Sequence, residues 1–154
     1  MATNLELAGK VAKCVDLYAV NLRYANVEAK CDPGSLPEEI DVDLQYRASF
    51  ERINREGGFS ELAVTVEFKF NVKSKIGDEA GDDVLLLDAG YLLNYWVRDC
   101  EGIDEGCYKY FSDVNGPYNA WPYWRELVQS VTGRVGLPGF VVPVFRPESV
   151  AVTD

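Results

Sequence analysis

The sequence predicts an α+β fold: antiparallel strands first, then helices packed against them. Three observations carry this expectation. Apolar and polar side chains alternate with a period of two from Ile40 to Glu51 and again from Leu62 to Val72, the pattern of strands with one wet face. Beyond about residue 105 the apolar spacing changes to three and four, the helical period. Strands followed by helices, without alternation, is the order of an α+β domain. The 154 residues suit one domain. A chain of this size buries roughly 68–70% of its unfolded surface and needs neither disulfide staples nor a structural metal to fold.

Residues 1–16 read as an N-terminal extension or a short helix. Leu17 to Val27 is a weaker strand candidate in which Tyr18, Val20, Leu22 and Tyr24 alternate. In the next strand Ile40, Val42, Leu44, Tyr46, Ala48 and Phe50 share one face. After Gly57-Gly58 the residues Leu62, Val64, Val66, Phe68, Phe70 and Val72 do the same, which makes an antiparallel pair. The acidic, glycine-containing stretch from Gly77 to Asp83 is a turn cluster, and a strand from Val84 to Val97 follows. Here Leu85, Leu87, Tyr91, Leu93, Tyr95 and Val97 occupy one face, yet Leu86, Leu92 and Trp96 on the other face are also large and apolar. A strand apolar on both faces needs cover on both, and a second subunit is the expected cover for the outer one.

Two helices are expected next. Cys107, Tyr110, Phe111 and Val114 form one apolar stripe, and Trp121, Trp124, Leu127, Val128 and Val131 form another. Asn115-Gly116-Pro117 should separate them, Pro122 should lie near the start of the second, and Gly133 suits its C-terminal cap. Residues 134–154 read as an extended crossover and tail. There is no internal repeat and no interdomain linker.

Charge and composition exclude several functions. The net charge is −10, which disfavours nucleic acid and anionic membrane as partners. The chain has no histidine. That removes the Ser–His and Cys–His nucleophile systems and every zinc site that requires an imidazole. No apolar run approaches the ~20 residues of a membrane span, and the N-terminus has no basic start leading into an apolar stretch, so a cytoplasmic location is expected. Without an export signal the four cysteines, Cys14, Cys31, Cys100 and Cys107, are expected to be free thiols.

The candidate chemical motifs are weak. Cys100 and Cys107 lack metal-ligand spacing, and Cys107 falls on an apolar helix stripe. Gly77-x3-Gly81 and Gly133-x2-Gly136-x2-Gly139 match no phosphate loop. Asp78, Glu79, Asp82 and Asp83 lack EF-hand spacing and read as a solvated hairpin tip. No metal, cofactor or catalytic residue is predicted, and the chain is not expected to be an enzyme. The charge distribution is more informative. Between Asp78 and Glu105 stand nine acidic residues and one basic one, Arg98, a net of eight of the ten excess negative charges. They bracket the doubly apolar strand, either as a solubilising rim around a subunit interface or as a landing site for a basic partner.

The segment from Asn119 to Phe145 carries a resemblance. Pro122-Tyr123-x-Arg125-Glu126 begins a helix, and a proline-containing crossover leads to Pro143-Val144 and Phe145. In order and spacing this resembles the SecB family of protein-export chaperones, which has a Phe-Pro-Tyr-Ala-Arg-Glu helix start and a crossover ending Ala-Pro-Val-Asn-Phe. The similarity extends upstream, with residues 84–102 fitting without gaps, and covers residues 17–145 as a SecB-like domain. Residues 146–154 are left as a short tail.

The resemblance implies a four-stranded antiparallel Greek-key sheet with helices on one face, assembled as a homotetramer, a dimer of dimers. Its implied function is that of an ATP-independent holdase whose grooves bind unfolded client chains, for export or for protection of an antitoxin. Ile40, Val42, Leu44 and Tyr46 fall on the strand that contributes client contacts in the family; core packing under the helices is the other reading of the same residues. The outer sheet face, with Leu86, Asp88, Leu92 and Trp96, is the implied partner or subunit interface. Leu86 and Asp88 match in type the positions through which the family contacts the translocase motor SecA. Two departures stand beside this. Asn21 and Ala25 occupy positions that are acidic in the family, and Arg146 to Asp154 is too short for the family's C-terminal helix. The alternative function is a structural or ligand-binding module that reuses the fold without handling unfolded chains.

Overall fold

The computed structural model describes residues 1–98 and 101–137 together with Val142 and Phe145. The elements in chain order are α1 (Asn4–Ala12), β1 (Val15–Ala29), a 3-10 turn (Pro33–Ser35), β2 (Ile40–Asn54), β3 (Ser60–Ile76), β4 (Glu79–Val97) and α2 (Glu105–Arg134). The four strands form one antiparallel sheet in the order β1-β4-β3-β2. β2, β3 and β4 are a meander, and β1 returns by the connection from Ala29 to Ile40 to lie beside β4. This is the Greek-key arrangement.

The strands are where the alternation puts them, and longer. β4 starts at Glu79, so the turn expected over Gly77–Asp83 contracts to Gly77 and Asp78. The rest of that stretch is absorbed into the ladder through irregular pairing between Lys73/Asp83 and Lys75/Ala80. Gly81 is needed there, since a Cβ at that position would stand 2.1 Å from Ser74 Oγ and 2.8 Å from the Ser74 carbonyl oxygen. The turn after β2 uses Gly57 and Gly58 at φ +86° and +80°, values that suit glycine.

The expected pair of helices is instead one helix of 30 residues, α2, which contains both Pro117 and Pro122. Gly116, read from sequence as a breaker, is a point of close approach. A Cβ there would lie 2.8 Å from Val64 Cγ1 and 3.3 Å from Val66 Cγ2 of β3. Each proline withholds an N–H from the carbonyl four residues earlier, a cost of about 3 kcal/mol in a helix interior. The buried stripe of Phe111, Ala120, Trp121, Trp124, Val128 and Val131 outweighs it; each large apolar side chain contributes roughly 1.5–3 kcal/mol on burial. The helix ends past Gly133, with Val135 as its cap and Gly136 at φ +84°. Leu137 N–H reaches the Thr132 carbonyl at 3.0 Å, which closes a Schellman motif.

The core lies between α2 and the sheet. Phe68 is at its centre, stacked on Trp124 at 4.7 Å and meeting Tyr91 and Trp121 edge-on at 6.0 and 5.9 Å. Such pairs add about 0.5–1.5 kcal/mol each beyond area burial. The N-terminal extension is helical. Thr3 and Glu6 form a capping box, with Glu6 N–H donating to Thr3 Oγ1 at 3.2 Å and Thr3 N–H to Glu6 Oε2 at 2.6 Å. α1 packs on α2 through Ala8 and Val11, its buried residues. A second expectation needs correction: Cys31 and Cys107 are free, but Cys14 is disulfide-bonded. At the α1–β1 junction, where Cys14 lies, Arg98 N–H donates to the Cys14 carbonyl at 2.7 Å. Cys100 lies outside the described residues.

Candidate functional site

Two surfaces carry the residues singled out from sequence. The first is the helix-facing side of β2, an edge of the sheet. Ile40 is exposed at the strand's start, while Val42, Leu44 and Tyr46 are half-buried and touch the core. These residues are therefore neither sealed core nor free surface. Tyr46 meets Phe145 edge-on at 5.8 Å, and Phe145 in turn lies against Trp121 at 5.1 Å and Tyr118 at 6.4 Å. Burial, aided by Asp113, pushes the Tyr46 phenol up to about 12, so it stays neutral. Further along β2, Phe50 stands 6.2 Å from Tyr108, and the Arg52 guanidinium lies 4.5 Å from the Tyr108 ring. The result is an aromatic-walled apolar stripe beside a strand whose outer edge pairs with no other strand among the described residues. Tyr118, Trp121 and Phe145 as its walls were not foreseen, because neighbours from three elements leave no common period.

The second surface is the outer face of the sheet. Leu86, Asp88 and Leu92 are half-buried there and Trp96 is exposed. Part of the cover of Trp96 comes from the chain itself. Tyr18 of β1 stacks on Trp96 at 4.6 Å with 20° between planes, and Phe59 meets Trp96 edge-on at 6.3 Å. The sequence expectation assigned this cover to another subunit; two tyrosines of the neighbouring strand supply part of it.

Both tyrosines end on carboxylates of β3. Tyr18 donates to Glu61, which also accepts from Arg55 Nε and Asn94 Nδ2, each at 2.7 Å. Glu61 is only 1% exposed, so these three donors are what make burial of its charge tolerable. Tyr24 donates to Glu67 at 3.1 Å, and Arg47 of β2 binds the same carboxylate. The bond from Tyr18 first, with those from Arg55 and Asn94, holds the Glu61 carboxyl below its ordinary range against the opposing effect of burial. Arg47 first and Tyr24 second do the same for Glu67. Each girdle runs from β1 across β4 to β3 and is completed by an arginine.

The acidic stretch divides between the two ends of β4. Asp78, Glu79, Asp82 and Asp83 gather at the β3–β4 turn, and Glu101, Asp104 and Glu105 at the entry to α2. Asp104 is a helix cap there, its Oδ1 accepting Cys107 N–H at 2.9 Å. Among the described residues no group of three or more His, Cys, Asp or Glu side chains converges as a metal site, and no helix is long and apolar enough to cross a membrane.

The architecture is the SecB-like fold. A solved structure of the Mycobacterium tuberculosis SecB-like chaperone Rv1957, in complex with a ChAD peptide from the HigA1 antitoxin Rv1956, is similar at TM-score 0.76 and 15% identity, over 91% of this chain and 96% of that one. A protein of unknown function from Streptococcus agalactiae is similar at TM-score 0.47 and 11% identity, over 84% of this chain and 96% of that one. No family model matches the chain, and no curated protein matches it.

Proposed function

We propose that this protein is a SecB-like holdase that binds unfolded segments of client polypeptides without ATP, cofactor or catalysis. The observation that carries the proposal is the shared fold with a chaperone whose solved structure holds an antitoxin peptide. The β2 surface supports it. The outer edge of β2, unpaired among the described residues, offers backbone hydrogen bonds to any extended chain, and the stripe of Ile40, Val42, Leu44 and Tyr46 offers apolar contact beside it. This chemistry selects "extended and apolar" over a particular sequence, which suits an antitoxin or an export client. The outer face at Leu86, Asp88, Leu92 and Trp96 is the proposed partner or subunit surface, with SecA as one candidate partner.

Assembly as a dimer of dimers in the cytoplasm belongs to the same reading. Leu17, Leu22 and Val27 of β1 are exposed, an apolar edge that favours contact between copies. Mixing the protein with an unfolding model substrate tests the holdase activity. Light scattering should fall as the ratio nears one client per assembly; undiminished aggregation at every ratio would sink the proposal in favour of a non-chaperone module. A mass measurement in solution tests assembly, and a strict monomer would contradict it.

A further inference from the structure

The two edges of the sheet differ. In β1 the pairing with β4 slips at Tyr18 and again at Arg23, each an extra residue with no partner on β4. Such bulges interrupt any ladder continued beyond that edge. β2 pairs with β3 from Ile40 to Asn54 without a slip. At its two ends Lys75 N–H donates to the Glu39 carbonyl at 2.9 Å and Arg55 N–H to the Phe59 carbonyl at 2.7 Å. The odd-numbered residues of β2 therefore exchange hydrogen bonds with β3, and the even-numbered ones turn their N–H and C=O to the outer edge. These even-numbered residues are the ones that carry the apolar stripe.

Charge is sorted along the same edge. Glu38 and Glu39 precede β2, and Asp41 and Asp43 lie near its start on the sheet's outer face. Lys73, opposite Asp41, pairs with Asp83 at 3.9 Å, and Asp43 accepts from Gln45 Nε2 at 3.2 Å. Further along, Arg47 is taken by Glu67, whereas the exposed Arg52 rests on the Tyr108 ring. None of Asp41, Asp43 and Arg52 joins an ion pair among the described residues. From Asp41 to Arg52 the strand covers twelve residues. Carboxylates at one end and a guanidinium at the other thus bound a single extended track.

We propose that the outer edge of β2 takes an extended client segment as a fifth, antiparallel strand and reads its charge order. An acidic residue at the segment's N-terminal end meets Arg52, and basic residues at its C-terminal end meet Asp41 and Asp43. Antiparallel pairing is the stronger kind per residue, and opposite charges directly across a ladder add to it. Between the ends, alternate apolar side chains lie beside the stripe, and the intervening ones face the outer side of the sheet. Charge order then fixes direction and register, which an apolar stripe alone leaves open. This mode of binding presupposes the client-holding role proposed above.

The probe is a fluorescein-labelled, end-capped peptide, Glu-Ser-Val-Ser-Val-Ser-Val-Ser-Val-Lys-Val-Lys, with binding to the full chain followed by anisotropy. Arg52→Gln should weaken it about two- to fivefold, as should Asp43→Asn. Replacing the peptide's glutamate by glutamine should weaken it equally for the wild type and change nothing further in Arg52→Gln. N-methylation of a central valine removes a ladder donor and should weaken binding roughly tenfold. N-methylation of the serine beside it, whose N–H points away from β2, should be tolerated. No binding, additive losses from Arg52 and the peptide glutamate, or equal losses from the two N-methylations would each overturn the proposal. The peptide-side changes decide it even where a protein variant fails to fold. Suppressed aggregation of a model client alongside such a result would leave the holdase reading standing and remove only the fifth strand; failure of both would remove the two together.

Discussion

The ring of Tyr24 lies across the bare backbone of Gly90: a Cβ on Gly90 would stand 2.3 Å from Tyr24 Cε1 and 2.9 Å from Cδ1. The missing side chain is the passage through which Tyr24 reaches over β4 to Glu67 on β3. An edge strand is thereby bonded to the strand beyond its neighbour. Gly90→Ala should displace the ring and cost about 1–3 kcal/mol, and Tyr24→Phe about 0.5–1.5 kcal/mol. Denaturant melts of the two single variants and the double variant check the coupling. In the Gly90→Ala background the Tyr24→Phe cost should largely vanish; strict additivity would show that the passage is not used.

The two unusual residues of α2 should respond in opposite directions. Pro122 is exposed in the helix interior, so Pro122→Ala restores a donor to the Tyr118 carbonyl and should stabilise by about 1–3 kcal/mol. Gly116 is buried against Val64 and Val66. Gly116→Ala should destabilise by about 1–3 kcal/mol through overpacking, in spite of alanine's better helix propensity. Thermal unfolding of both variants measures the two signs.

Acid should weaken the sheet through Glu61 and Glu67. In the folded state both carboxyls are stronger acids than in the unfolded chain, so on acidification the unfolded chain takes up protons first. Their stabilisation is complete above the unfolded value of ~4.3 and is lost as pH falls through the lower folded-state values. Glu61→Gln should flatten the decline of Tm with pH in that window. A variant as acid-sensitive as the wild type would place the sensitivity elsewhere.

The two surfaces should separate by mutation. Leu44→Asp on the β2 stripe should abolish aggregation suppression and leave the assembly mass unchanged. Trp96→Glu on the outer face should lower the assembly mass if copies meet there, and otherwise leave the mass intact while weakening a partner. Although Trp96 is 42% exposed, losing its contacts with Tyr18 and Phe59 should also cost about 1–3 kcal/mol of stability, which the mass measurement is insensitive to while the protein stays folded. Loss of holdase activity in Trp96→Glu without a change in mass would move the client site to the outer face.

The sheet was legible because its alternation is nearly unbroken from Ile40 to Phe50 and from Leu62 to Val72, and a period of two leaves one choice of face. The helix division was misread because Gly116-Pro117 has the composition of a turn; only the nearness of Val64 explains why glycine is needed inside a helix. The disulfide at Cys14 escapes the sequence because cysteines without an export signal read as free thiols. The β2 stripe was visible as a stripe, but its aromatic walls come from distant segments. Tyr18 and Tyr24 were counted as alternating strand residues. Their hydroxyls, which reach Glu61 and Glu67, depend on a strand neighbour that local pattern does not supply.

The pairing of Val15 with Val97 has a consequence for synthesis. β1 leaves the ribosome first, and its partner in the sheet is the last strand to be made, about 80 residues later. At ~5–20 residues per second, β1 waits for several seconds with its ladder unformed while the β2–β4 meander becomes able to close. During that interval the nascent chain exposes an extended apolar strand, the same kind of segment that the finished protein is proposed to protect in others.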